Sequence, residues 1–532
     1  MAFLNACPQT VHGLVAMAKV WSDCLTICGK LIQGVVIDDA TSCSFPLLRL
    51  YDRIFMLPPT GLAALTVIAL VAPAIEYLGV IPRTTTLPST RRWVLDMLCT
   101  LVGYGGWLAL TGNMSVAALM TPVLMTVIVV ASNIKYKVLG EPLLFSDLVV
   151  ARSFLQHPQF YLFSIPATAR LALVVLVIVL PVLFWVYASV ALFPHLLGGS
   201  ILLLGCLLLG ICPARSWAPV PDMKHDLSRL GLPGSMLLYW RRWRGSPDLP
   251  PPVPLQGTAI YDQIIIVQCE SFSDPTTLGL PADIAIPPMP GLTRARQLAS
   301  HQGPLCVSGF GAYTMRSEYG VLFGQSEKEL GFRQYDPFLT ARREHSHALP
   351  FRLKAMGYES TFIHPHDLRF YDRKTLMPAM GFTHVIRPGP HVSTDSMPYF
   401  SDITLGETLD DIVRTARTPS LFYTVTMENH GPWPTGADRN APLRHYLEHV
   451  ANSDQMLLNL INDLSKQTGR SLLVFFGDHR PSIPGVITPG ALRDVPYVVL
   501  SFPLTEKTAH CPSIALTPAQ LNKLITTLIC QA

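Results

Sequence analysis

The chain has 532 residues, of which 49% are hydrophobic and only 14% are charged, against about 25% charged in an ordinary soluble domain. This composition indicates membrane-spanning segments, and the length indicates more than one domain. The formal net charge of +4 is small for such a length and argues against a protein that binds nucleic acid.

The first half of the chain carries the apolar segments. Residues 1–60 show neither a clear span nor a clean signal peptide, so they are interpreted as a cytoplasmic tail or as an over-extended gene start ahead of Met56. Residues 61–213 form a predicted transmembrane domain, because they hold segments of about 20 apolar residues, the length that crosses a bilayer. Five such spans are predicted, at roughly 61–80, 93–111, 114–132, 168–191 and 196–213. The piece between the third and fourth spans mixes basic and apolar residues and is expected to lie along the interface as an amphipathic helix.

A change of composition follows the apolar half. Residues 214–258 are rich in proline and contain the cluster "WRRWR", which predicts an extended linker near the lipid surface. Residues 259–532 alternate apolar strand patterns with helical stretches such as 444–466, which predicts an α/β domain with a mainly parallel sheet. The predicted strands are 263–268, 360–364, 421–427, 471–476 and 496–501.

Two arguments about the side of the membrane on which this domain lies point in opposite directions. An odd number of spans places the two ends of the chain on opposite sides. Basic residues concentrate in the loops that would then lie outside, which opposes the positive-inside bias. The chemistry described below favours the extracytoplasmic side, where those basic groups are interpreted as holding lipid phosphates. A disulfide among Cys269, Cys306, Cys511 and Cys530 is left open.

Polar residues follow several of the predicted strands. Glu270 follows the first strand, and Asp478 and His479 follow the strand at 471–476. A parallel sheet gathers such strand ends at one edge, so these side chains are candidate ligands of a divalent cation. Thr314 follows a Gly-rich turn and begins a helical pattern, so it is either an ordinary helix cap or a nucleophile. As a nucleophile, Thr314 is also a candidate ligand of the cation, because coordination would lower the pKa of the hydroxyl and activate it.

Further candidates follow the other strands. His364, Tyr371 and Arg373 come after the strand at 360–364, and His430 comes after the strand at 421–427. The imidazoles and the guanidinium would stabilise a phosphoryl group, whose transfer depends mainly on positioning and charge. Either histidine is a candidate acid for the leaving oxygen.

Taken together, these residues resemble the lipoteichoic acid synthase and phosphoglycerol transferase family of the alkaline phosphatase/sulfatase superfamily, over the chain from about residue 60. The family pattern reads here as Glu270, Thr314 with Glu318 four residues on, and Asp478-His479. "ENHGPWP" matches the stretch that carries the family histidine, and "KYKVLGEPLLFSDL" is similar to the loop after its third span. Tyr371 departs from the family, which commonly has Trp there.

The resemblance implies a fold and a reaction. It implies spans, a linker and an extracytoplasmic sulfatase-like domain in the inner (cytoplasmic) membrane. It implies that Thr314 takes phosphoglycerol from phosphatidylglycerol as a covalent phospho-threonine and passes it to a glycan or polyol-phosphate acceptor. Manganese is the family metal, with magnesium and zinc as chemical alternatives for two carboxylates and one imidazole.

Other functions stay open at this point. A phosphoethanolamine transferase would use the same core with a different headgroup pocket, and a phosphodiesterase or phosphatase would use water as the acceptor. A sulfatase is disfavoured because the Cys-x-Pro-x-Arg sequence of its nucleophile is missing. A catalytically inactive scaffold or transport protein would not need the complete ligand set.

Overall fold

The computed structural model of the chain describes residues 59–83, 88–148, 167–256, 260–389, 399–434, 438–504 and 511–530. The predicted tail at 1–60 lies almost entirely outside these residues. So does the second half of the segment predicted to lie along the interface, residues 149–166; the beginning of that segment continues a long helix to Leu139. The chain divides into two compact units, described separately below.

Helices occupy all five of the predicted apolar segments. They are α1 (Pro59–Gly79), α2 (Thr90–Thr111), α3 (Met114–Leu139), α4 (Ala167–Tyr187) and α5 (Leu192–Ile211). In the described part of the chain, α2, α3 and α5 are long and apolar enough to cross a membrane. The helical membrane-type region is therefore confirmed, and the count of five spans stays a prediction.

Glycines bring two of these helices together in the first unit, which comprises the described residues up to 125 together with 183–211 and 228–231. A Cβ atom on Gly105 of α2 would lie 2.5 Å from the backbone nitrogen of Leu202 on α5. A Cβ atom on Gly198 of α5 would lie 2.2 Å from the backbone nitrogen of Ala109 on α2. Small residues of this kind allow the close helix packing that is typical of membrane domains.

The predicted extended linker is wrong for most of its length. Residues 214–244 form the helices α6 (Ala214–Trp217), α7 (Met223–Leu230) and α8 (Leu232–Arg244). The prolines do not prevent this, because Pro219 and Pro221 lie between helices and Pro233 lies in the first turn of α8, where its missing N–H costs nothing. Leu238 and Tyr239 of α8 are fully buried, and that packing holds the segment in a helix.

The second unit contains a sheet of seven strands and comprises residues 126–182, 212–227 and 232–532. The strands are β1 (Gln263–Cys269), β2 (His301–Leu305), β3 (Glu359–Ile363), β4 (His384–Ile386), β5 (Ser420–Val425), β6 (Ser471–Gly477) and β7 (Val495–Phe502), in the order β2-β7-β6-β1-β5-β3-β4. All five predicted strands are present, and the mainly parallel sheet is confirmed, with β7 antiparallel to both of its neighbours. The two strands that sequence patterns missed, β2 and β4, are short edge strands, and β2 contains Gly303-Pro304.

Helices cover both faces of this sheet. They are α9 (Pro290–Leu298), α10 (Thr314–Phe323), α11 (Glu327–Leu330), α12 (Phe338–Ala341), α13 (Leu349–Lys354), α14 (Arg373–Ala379), α15 (Asp402–Thr415), α16 (Ala441–Ser465) and α17 (Pro518–Cys530). Alternate residues of β1 enter two separate hydrophobic clusters, with Ile264 and Ile266 in one and Ile265 and Val267 in the other. A strand that is buried on both faces must be apolar throughout, which is why β1 reads as a continuous apolar run.

Candidate metal centre and nucleophile

Two neighbouring strands deliver three ligand-type side chains to one point. In the parallel pair of β1 and β6, Cys269 lies opposite Gly477, so Glu270 and the Asp478-His479 pair leave the sheet at the same edge. One ligand atom from each of these three residues lies within 4.8 Å of the others, and all three residues are buried. The sequence-based expectation that these strand ends meet is therefore met by the geometry.

The donor atoms suit a divalent cation. Nε2 of His479 lies 3.5 Å from Oε1 of Glu270 and 3.6 Å from Oδ2 of Asp478. Oδ1 of Asp478 accepts hydrogen bonds of 2.8 Å from the backbone N–H groups of Ser271 and His479. Oδ2 of Asp478 is buried and has no hydrogen-bond partner among the described residues. A buried carboxylate oxygen without a donor, facing a second carboxylate and an imidazole, fits a cation such as Mn²⁺, Mg²⁺ or Zn²⁺.

The electrostatics of the cluster agree with this fit. Burial, and then the neighbouring Glu270, raise the pKa of Asp478 to about 7. Burial alone would lower the pKa of His479, but Asp478 and Glu270 outweigh it and raise that pKa. The cluster therefore concentrates negative charge in a dry site, an arrangement that a bound divalent cation would neutralise.

Thr314 lies beside these ligands. Its Oγ1 donates to Oε2 of Glu270 at 3.3 Å and lies 3.4 Å from Nε2 of His479. The helix-cap interpretation is wrong, because the cap position of α10 is Tyr313 and no side-chain cap bond is made there. Tyr313 has a φ of 76° and Gly311 a φ of 65°, so the turn that presents Thr314 contains two left-handed residues. A non-glycine residue in this region needs support from its surroundings and is typical of functional sites.

A buried ion pair stands one helical turn beyond Thr314. Oε2 of Glu318 lies 2.6 Å from Nη2 of Arg373, and both side chains are at most 2% exposed. The other carboxylate oxygen of Glu318, Oε1, is buried without a hydrogen-bond partner among the described residues. Glu318 is therefore the ion-pair partner of Arg373. It does not belong to the cluster of Glu270, Asp478 and His479.

His364 supports the same arginine. Its Nδ1 lies 2.9 Å from the carbonyl oxygen of Val425, and its Nε2 lies 3.1 Å from Nη1 of Arg373. Burial, and then Arg373, lower the pKa of His364 well below its usual range, so the imidazole is neutral. Nδ1–H then donates to Val425 and Nε2 accepts from Arg373. In this arrangement Nε2 has no proton to give, which argues against His364 as the acid and for a role in holding Arg373.

Two other predicted residues lie in the same region. The Tyr371 ring lies under the guanidinium of Arg373, with 5.2 Å from Cζ to the ring centroid. Nδ1 of His430 lies 3.2 Å from the hydroxyl of Tyr399, and burial lowers the pKa of His430. The structure thus places the predicted substrate residues in two groups, one around Arg373 and one around Tyr399.

The sequence analysis did not select two residues of this region. His366 lies with its ring centroid 6.3 Å from that of His364 and 6.1 Å from that of Tyr399. Burial lowers the pKa of His366 to about 4, so this imidazole is neutral as well. His366 had a signal in the sequence, since it follows β3 in the segment "HPH". Tyr399 follows none of the strands predicted from the sequence, so it had no such signal.

The cysteines left open by the sequence do not pair in the structure. Cys269, Cys306, Cys511 and Cys530 are all free thiols. Cys269 is buried at the end of β1, where its Sγ lies 3.7 Å from Oδ2 of Asp402.

Residues 262–529 match the sequence model of the Sulfatase family. The chain belongs to the Sulfatase family. The match spans the whole sheet from β1 to β7, with the cluster and Thr314 inside it, and it confirms the expected place in the alkaline phosphatase/sulfatase superfamily. The protein therefore has the fold of a superfamily of phosphotransferases and hydrolases.

Individual members of the superfamily are similar to this Sulfatase-family chain. The capsular polysaccharide biosynthesis protein RkpI of Rhizobium meliloti is 27% identical over 459 residues, which cover 77% of this chain and 82% of RkpI. The Streptococcus pyogenes phosphoglycerol transferase GacH, solved with sn-glycerol-1-phosphate, is 18% identical with a TM-score of 0.40, covering 52% of this chain and 76% of GacH. The C-terminal periplasmic domain of EptC from Escherichia coli, solved with Zn, is 14% identical with a TM-score of 0.38, covering 54% of this chain and 87% of the solved domain.

Proposed function

We propose that this protein is a membrane-bound transferase that moves phosphoglycerol from phosphatidylglycerol to a cell-envelope glycan or polymer through a phospho-threonine intermediate. The observation that carries the proposal is the position of Thr314 Oγ1, at 3.3 Å from Glu270 and 3.4 Å from His479 in a buried carboxylate–histidine site. A hydroxyl is a weak nucleophile, and coordination to a metal ion is one way in which proteins activate it.

Different residues have different roles in the proposed reaction. Glu270, Asp478 and His479 would hold the divalent cation, Mn²⁺ by resemblance, which supplies Lewis-acid stabilisation of the hydroxyl and the phosphate oxygens. Thr314 gives up its hydroxyl proton and its Oγ1 bonds to phosphorus, while the bond from phosphorus to the diacylglycerol oxygen breaks and diacylglycerol leaves with a proton. In the second step an acceptor hydroxyl loses its proton and its oxygen bonds to phosphorus, the bond to Oγ1 breaks, and Oγ1 of Thr314 regains a proton. Arg373 supplies fixed positive charge for the phosphoryl oxygens.

The side chains near this site favour a polyol headgroup. His366, Tyr399 and His430 offer neutral donors and acceptors, and this group contains no carboxylate. The nearby carboxylates are engaged elsewhere. Asp367, beside His366, pairs with Arg369, and Glu318 pairs with Arg373. Glu270 and Asp478 belong to the candidate cation site. An ethanolamine ammonium group would need a carboxylate or an open aromatic face, whereas glycerol hydroxyls bind well to imidazoles and phenols. Phosphoethanolamine transfer is therefore the second candidate.

The membrane region and the RkpI likeness support the rest of the proposal. The apolar helices α2, α3 and α5 would anchor the chain as a multi-pass protein of the inner membrane, with the catalytic domain on the extracytoplasmic side beside its lipid donor. RkpI, similar over most of both chains, is named for capsular polysaccharide biosynthesis, which supports a glycan acceptor. Sulfate-ester hydrolysis is disfavoured because Thr314 holds the nucleophile position and the cysteine motif of sulfatases is missing.

The proposal is tested with labelled lipid donors. The full chain in lipid vesicles with Mn²⁺ is given phosphatidylglycerol or phosphatidylethanolamine, and diacylglycerol release and the adduct on Thr314 are followed by mass spectrometry. We expect release from phosphatidylglycerol and a phosphoglycerol adduct, with both lost in Thr314→Ala and kept in Thr527→Ala, a control on the exposed face of α17. Undiminished release by Thr314→Ala would refute the nucleophile, and consumption of phosphatidylethanolamine alone would refute the headgroup. Because no glycan is present, a transferase should release about one diacylglycerol per chain, and continued release over many turnovers would indicate a phosphodiesterase.

A further inference from the structure

The segment that follows helix α3 contacts the turn that carries Thr314. Glu141 binds Arg316 through two parallel contacts, 2.7 Å from Oε1 to Nη1 and 2.9 Å from Oε2 to Nη2. Arg316 lies only two residues beyond Thr314 on α10. The Arg316 side chain is 5% exposed and that of Glu141 16% exposed, so the pair is largely shielded from water and from screening by salt.

Arg316 and Lys135, which lies near the end of α3, both contact Tyr313, the residue before Thr314. The guanidinium carbon of Arg316 lies 3.9 Å from the ring centroid of Tyr313, and Nζ of Lys135 lies 5.6 Å from it. Lys135 is fixed in turn by Asp147, with 2.5 Å between Nζ and Oδ2. Tyr313 has the unfavourable left-handed backbone described above, which persists only where contacts of this kind over-determine it.

The segment itself is fixed in place. Gly140 has a φ of 73°, and a Cβ atom there would lie 2.8 Å from both the Arg493 Nη2 and the Pro489 Cβ atoms. Oγ of Ser482 donates to the carbonyl oxygen of Val138 at 2.7 Å. A chain this tightly seated gives Glu141 a defined position.

Three cations keep Glu141 charged. Burial would raise the pKa of Glu141, but Arg316, Lys135 and Arg493 outweigh it and lower that pKa. A full negative charge therefore faces Arg316 at neutral pH, and the bidentate geometry fixes the direction of the guanidinium as well as its distance.

We propose that Glu141 and Arg316 are positioning residues that hold the Tyr313–Thr314 turn at the distance and angle required for attack. The inference rests on the proposed function of Thr314 as the nucleophile. According to this inference, the segment after α3 contributes to the active site. Glu141 nevertheless precedes the matched family domain at 262–529 by more than a hundred residues. A nucleophile displaced by about 1 Å can lose about a hundredfold in rate, so the pair needs no contact with substrate to matter.

The test separates positioning from folding. Full-length Glu141→Gln, Arg316→Met and the double variant are compared with Glu359→Gln, a matched control at the exposed start of β3. Turnover is measured on both lipids and on the soluble diester bis(p-nitrophenyl) phosphate. For each variant we also measure the fraction of chains that form the Thr314 adduct, the affinity for Mn²⁺ and Tm. For Glu141→Gln we expect kcat per active chain to fall by about ten- to a hundredfold. KM and Mn²⁺ affinity should stay near wild type, Tm should fall because Arg316 loses a largely buried partner, and the double variant should be no slower than Arg316→Met.

The conservative change Glu141→Asp keeps the charge and should recover part of the lost kcat. The inference would be overturned if Glu141→Gln had the same kcat as Glu359→Gln on any diester that the wild type turns over. The proposed function would not be affected by that result. A lowered Tm and adduct fraction with unchanged kcat per active chain would show a merely structural role and overturn it too. Wild-type turnover of the soluble diester but of neither lipid would refute only the headgroup assignment. Turnover of no diester would refute both proposals.

Discussion

The Glu318–Arg373 pair permits a sharp test of how charge is held inside this domain. Both side chains are at most 2% exposed, and 2.6 Å separates Oε2 from Nη2. Glu318→Gln removes the charge and leaves the guanidinium of Arg373 buried without its partner. Breaking one side of a buried pair costs about 3–5 kcal/mol, whereas replacing both partners by apolar groups is often close to neutral. At about 2–4 °C per kcal/mol, Glu318→Gln should lower Tm by roughly 6–20 °C.

The assay is thermal unfolding of the full chain in detergent, followed by tryptophan fluorescence. Glu318→Leu with Arg373→Met should recover most of the Tm lost in Glu318→Gln. Asp463→Asn is the matched control, because the Lys466–Asp463 pair is exposed, at 74% and 37%, and should change the free energy of unfolding by at most about 1 kcal/mol. If Glu318→Gln unfolded at the control temperature, the charge of Arg373 would be compensated elsewhere and the reasoning would be refuted.

Three more predictions follow from the same domain. Burial, and then Glu428, raise the pKa of Asp402 to about 7, so the folded chain keeps a proton that the unfolded chain loses near pH 4. The free energy of unfolding should therefore fall as the pH rises from about 4 to about 7. Asp402→Asn should reduce the slope of Tm against pH in this range. An unchanged slope would show that another group holds the proton. Asp478→Asn should weaken Mn²⁺ binding by more than about tenfold in calorimetry, with the exposed Asp411→Asn as control, and equal affinities would exclude Asp478 as a ligand. In Gly311→Ala the new Cβ would lie 2.3 Å from Cβ of Ser482, so kcat should fall and Ser482→Gly should restore part of it; the absence of any loss would show that the turn tolerates displacement.

Five of the seven strands, and the strand ends that carry the candidate ligands, were predictable from the sequence. A strand buried on both faces must be apolar along its whole length, so β1, β5 and β6 were visible as continuous apolar runs. Chemistry in an open parallel sheet sits at the carboxyl ends of the strands, so Glu270 and the Asp478-His479 pair stood out as soon as the runs were located. Apolar length likewise revealed the helices of the membrane region.

Three features could not be predicted from the sequence, namely the direction of β7, the helical form of the linker and the partners of the buried charges. A run of apolar residues looks the same in a parallel and in an antiparallel strand. The pattern at 496–501 therefore could not predict that β7 is antiparallel to β6. Glu318 and Arg373 are 55 residues apart, and Glu141 and Arg316 are 175 residues apart. Such pairs are chosen by the packing of whole elements, because a local sequence pattern records which side chains become buried but not which distant charge will meet them.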